Sequence, residues 1–157
     1  MTARFEMAGD FDLSSELADA MAQPPEEWRD NSADVPFFVF HRTSAPVNLA
    51  GLYVNEKPWR NEIRVLGPEV EETAVLLMEH DQHDDNATNA VIEAVVRAIP
   101  VIDGDFILYF WNRPLLTYSK GQTLLHRTKG ERSFWDHPPH LNAVTVSYRW
   151  LEDGVIR

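Results

Sequence analysis

The chain has 157 residues, no cysteine and a formal net charge of −11. This length predicts one domain around a single core, and the absence of thiols excludes disulfides and thiolate metal centres. The negative balance argues against nucleic acid or an anionic membrane as partner, because phosphate contacts need Lys and Arg. The first twelve residues carry acids and no apolar run, so neither a secretory signal nor an anchor is expected. No stretch approaches the ~20 apolar residues of a spanning helix, and the expected location is cytoplasmic.

In chain order, residues 4–8 alternate weakly and predict a short first strand. Leu13, Leu17, Ala20 and Met21 mark an amphipathic helix with Asp12 or Ser14 as its cap, stopped by Gln23-Pro24-Pro25. Residues 26–34 read as a polar loop whose Trp28 packs on the core. A Phe-rich strand follows over 35–42, with Pro36 at its start or at a sheet edge, and a second over 47–55, with Gly51 as a candidate bulge. Residues 56–61 are a loop carrying Trp59, and 62–66 alternate. Residues 69–80 fit either a helix begun by Pro68-Glu69 or a strand over 73–78. The strand is preferred, paired with 62–66, because it enlarges a sheet that needs a helix on one face.

The clearest stretch is 84–100. Ala87, Val91, Ala94, Val95, Ala98 and Ile99 lay one apolar stripe along a helix, with Asn89, Glu93 and Arg97 opposite. Asp84, Asp85 and Asn86 cap its start, and Pro100 ends it. A turn at Asp103-Gly104-Asp105 leads into strands at 106–111, 115–118 and 122–127, an antiparallel meander with Lys120-Gly121 at one turn. Trp111 and Trp150 are expected in the core. Residues 133–141 read as a loop stiffened by Pro138-Pro139, and 144–150 alternate as a half-buried strand before Asp153-Gly154 turns the chain. The predicted fold class is α+β, a single domain over 1–157 with a mainly antiparallel twisted sheet and two helices packed on one face.

Chemistry is sought first among the six histidines. His80-Asp81-Gln82-His83-Asp84-Asp85 gathers two imidazoles and three carboxylates, ligand types that suit zinc or a hard cation. Metal sites need ligands held by surrounding contacts, whereas this run falls in a strand-to-helix loop where its acids act as caps. The expectation is therefore no metal and no cofactor, with His80 and His83 as the foremost candidate ligands. His137 and His140 form a second pair, but Pro138-Pro139 is expected to keep the backbone extended, so that the rings need not converge. His41 and His126 lie near strand ends without a visible partner. Ser119, Ser133 and Ser147 lack a turn that presents a nucleophile, and the glycines are too scattered to cradle phosphate. No catalytic set emerges.

Charge is distributed unevenly. From Glu69 to Asp105 Arg97 is the sole base among many acids, and from Arg113 to Arg132 the balance reverses. Glu79, Asp81, Asp84, Asp85 and Glu93 are the candidate partner contacts, as an acidic face for a basic protein. Trp135, in a loop beside the basic meander, is the aromatic candidate.

Three stretches, 89–97, 103–110 and 113–116, form a helix leading into a short-turn hairpin. Together they resemble small bacterial immunity proteins of polymorphic toxin systems. The resemblance covers about a fifth of the chain, counted over that helix-and-hairpin unit; it rests on pattern and transfers no functional position. It implies a non-catalytic inhibitor that neutralises a basic toxin by tight binding. Two alternatives stand beside it: a metal-dependent site or small enzyme using His80, His83 and nearby acids, and a small-molecule pocket under the sheet lined by Trp and Tyr.

Overall fold

A computed structural model describes residues 2–21, 27–29, 37–42, 45–53, 73–81 and 85–157. Among the described residues, ten strands form one sheet: β1 Thr2–Gly9, β2 Glu27–Arg29, β3 Phe37–Arg42, β4 Ala45–Tyr53, β5 Ala74–Asp81, β6 Phe106–Phe110, β7 Arg113–Ser119, β8 Gln122–Arg127, β9 Arg149–Glu152 and β10 Val155–Ile156. Their spatial order is β10-β9-β8-β7-β6-β1-β5-β4-β3-β2. Neighbours are antiparallel except β8 and β9, which run parallel. The helices are α1 Ser15–Met21, α2 Asp85–Ala98 and α3 Pro138–Asn142. The α+β class and the mainly antiparallel sheet are thus as the sequence predicts.

Alternation sorts each central strand onto two faces. Phe5 and Met7 of β1, Leu76 and Met78 of β5, and Phe106 and Leu108 of β6 join the apolar side chains of α2 in the main core. Ala8, Val75, Ile107 and Tyr109 make a smaller cluster on the reverse face. Burial on both faces explains why β6 reads as an uninterrupted apolar run. α2 lies against the sheet and is flanked by α1 and α3, so only Asp85, Asn86, Asn89, Glu93 and Arg97 retain appreciable exposure. Ser14 is the cap of α1: its hydroxyl accepts the Leu17 amide at 3.1 Å. Where β1 ends, the α2–β6 turn presses on it, and a side chain at Gly104 would collide with the Asp10 carbonyl.

Several expectations are corrected. The strand at 4–8 is neither short nor peripheral: β1 has eight residues and sits between β5 and β6. The polar loop 26–34 contains β2, an edge strand in which Trp28 stands opposite Phe38. β5 is a strand as preferred, and among the described residues β1 and β4 pair with its two edges over 74–79. Gly51 pairs in unbroken register; the bulge lies instead in β7, where Leu115 is the extra residue opposite the Leu108/Tyr109 step. Pro114 is accommodated beside it because a bulge needs no ladder amide. Trp111 is not core but occupies the β6–β7 turn at φ 55° and is half exposed, and Trp150 is only partly buried, under the Arg127 guanidinium at 4.2 Å. Residues 133–141 are a 3-10 turn over Phe134–Asp136 followed by α3, a third helix. Residues 144–150 keep their alternating burial, but ladder pairing starts only at Arg149. In the parallel register Arg149 stands opposite Leu124, two residues into β8. Trp59, 62–66 and the Pro68-Glu69 helix start lie outside the described residues.

Candidate functional site

Three features carry charge or chemistry. The first is the helical layer. Asp12, Glu16, Asp19 and Asp85 are exposed on it and Glu93 is partly exposed; Asp12 precedes α1, and the others stand on two helices that pack against each other. Arg97 is the only base on α1 or α2, and it is turned inward. Its Nε donates to the Ala20 carbonyl at 2.9 Å and its Nη2 to the Met21 carbonyl at 2.6 Å. The guanidinium satisfies two orphan acceptors at the C-terminus of α1, where a cation also suits the helix dipole. The layer therefore presents acids while its one cation is spent on the fold.

The second is a cluster of imidazoles at the N-terminus of α2. Pro138 and Pro139 sit in the first turn of α3, with His137 as the residue capping it. Proline suits this position because its missing amide would have been unpaired in any case. The expectation that these prolines keep the backbone extended is thus corrected. Instead they start a helical turn, which brings the ring centroids to 4.4 Å. His137 Nε2 lies 3.0 Å from Asp85 Oδ2. His140, buried, stacks on Phe134 at 4.6 Å between centroids. Its Nδ1 is 2.9 Å from Asn89 Oδ1, an acceptor, so Nδ1 carries the proton. Burial, then His137, lowers the His140 pKa, Asp85 raises it, and His80 lowers it further. Ligand atoms of Asp85, His137 and His140 all lie within 4.8 Å of one another. Behind them His80 is buried, its Nε2 2.9 Å from Thr88 Oγ1.

The third is a groove of about 910 Å³ beside the meander. Arg113, Lys120 and Arg132 line it with Leu124, His126 and Ile156. Neither Trp nor Tyr contributes, so it is not the aromatic pocket expected under the sheet. His126 bonds Thr117 Oγ1 at 2.6 Å, and burial pushes its pKa down to about 4.

The candidate partner contacts separate. Leu76, Met78 and His80 face α2, so alternation puts Glu79 on the reverse face, where Arg4 lies 3.9 Å away. Asp85 and Glu93 belong to the helical layer. Of Asp81 only the backbone is described, and Asp84 and His83 lie outside the described residues. Trp135 is 2% exposed, and its Nε1 donates to the Leu115 carbonyl at 2.9 Å. A bulge takes Leu115 out of the ladder, and the indole supplies a donor for its carbonyl; the side chain is a core group, not a surface contact. Ser133 accepts the Trp135 amide and Ser119 donates to Asp105, so both hydroxyls have structural partners. The acids of α1 were missed, although no base occurs between Arg4 and Arg29. No known protein family, curated protein or solved structure matches the chain. Among the described residues no helix is long and apolar enough to cross a membrane.

Proposed function

We propose that the protein is a non-catalytic, cytoplasmic binding protein of the immunity type, which neutralises a basic protein partner through an acidic surface. The observation that supports this most is the helical layer: Asp12, Glu16, Asp19, Asp85 and Glu93 lie on or beside α1 and α2, and the only Arg there is turned onto backbone carbonyls. This refines the surface from the run 79–93 to α1 and α2 together. Like charges gathered on one face steer a basic partner and raise its association rate, an effect that weakens as salt rises. Fixed helices bind with little ordering cost.

The test is co-expression with the product of the gene immediately upstream. Co-purification at low salt that weakens at high salt is expected. Failure to associate at any salt concentration refutes the proposal.

A further inference from the structure

The geometry points to a binding site for one borderline divalent transition-metal ion, zinc in the first instance, formed by Asp85, His137 and His140. This goes beyond protein binding: Asp85 belongs to the acidic layer, but the two imidazoles beside it do not. The three donors come from segments fifty residues apart in sequence, and converge because α3 docks on the start of α2. Two imidazole nitrogens and one carboxylate oxygen form the three-ligand set that zinc accepts with water in the fourth position. A hard ion such as calcium needs six or more oxygens, and one carboxylate does not approach that.

The donor positions suit the ion's size. A tetrahedral ion about 2.0–2.1 Å from each ligand separates them by about 3.3 Å. Asp85 and His137 already stand at 3.0 Å, and the widest separation allowed in the group is 4.8 Å. Closing the remainder falls to Asp85 and His137, whose side chains are 64% and 43% exposed and free to re-orient. His140 is the fixed member. Phe134 holds its plane, and Asn89 accepts its Nδ1 proton, leaving the Nε2 lone pair for a metal. Metal-ligating histidines almost always carry such an orienting partner on the far nitrogen. The bound ion would clip the 133–143 segment to α2.

Metal-free protein is titrated with Zn²⁺ by calorimetry and with Co²⁺ by visible absorption. One ion per chain, a melting temperature that climbs with zinc concentration and the absorption bands of tetrahedral cobalt are expected. His137→Ala and Asp85→Asn alter exposed side chains, so folding is preserved, and each should abolish stoichiometric binding. Asn89→Ala should weaken it about ten- to a hundredfold. Two results overturn the assignment: no stoichiometric binding by the wild type, or equal affinity in H137A and D85N, which would place any zinc on other histidines.

Discussion

His126 should make the protein sensitive to acid in a way that a single substitution removes. The ring is partly buried beside Thr117, and burial lowers its pKa from 6.5 to about 4. In the unfolded chain it takes a proton near pH 6.5, whereas in the folded chain it does so only near pH 4. Its contribution is therefore complete above pH 6.5 and is lost as pH falls from there towards 4. Linkage gives a slope of about 1.4 kcal/mol per pH unit across that window, or about 2 kcal/mol lost by pH 5. Carboxylates also titrate on the acid side, so the informative quantity is a difference between two proteins. His126→Gln keeps a hydrogen-bonding group for Thr117 but cannot ionise. Urea unfolding at half-unit steps from pH 7.5 to 4.5 should show wild type losing about 2 kcal/mol more than H126Q by pH 5. Parallel stability curves for the two proteins would show that the imidazole is not held neutral by burial.

Other perturbations have distinct signatures. Trp135→Phe strands the Leu115 carbonyl and leaves a gap beside Phe134, and should cost about 2–4 kcal/mol in chemical denaturation. Gly104→Ala forces a methyl group into the Asp10 carbonyl and should cost more than Gly121→Ala, which meets open space but sits at φ +77° and should cost about 1 kcal/mol. Arg97→Met removes both bonds to the end of α1; a loss of about 2 kcal/mol is expected, with amide exchange in 15–21 accelerating more than in α2.

What could be read from the sequence follows physical range. α2 announces itself because its apolar spacing, its acidic start and Pro100 all act within one helix. The Lys120-Gly121 turn is equally local, since φ values of 51° and 77° are what a tight two-residue hairpin demands. The central place of β1 is not legible locally, because it depends on flanking strands about seventy and a hundred residues away. The imidazole cluster was misjudged at one step: Pro138-Pro139 stiffens an extended chain or starts a helix, and only docking against α2 decides which. Trp135 could not be placed without knowing that a bulge at Leu115 leaves a carbonyl to be satisfied. The inward turn of Arg97 is likewise tertiary, although the lack of any base along α1 was open to view.

The central claim, that the acids of α1 and α2 are the working surface, is tested most directly by comparing charge reversals on opposite sides of the sheet. The triple variant Glu16→Lys, Asp19→Lys, Glu93→Lys alters the helical layer, and Glu79→Lys alters the reverse face. Association rates with the upstream gene product are measured by stopped flow at low salt. The triple variant should slow association at least tenfold and flatten its salt dependence, while E79K stays within about twofold of wild type. Equal slowing by both, or by neither, would contradict the claim.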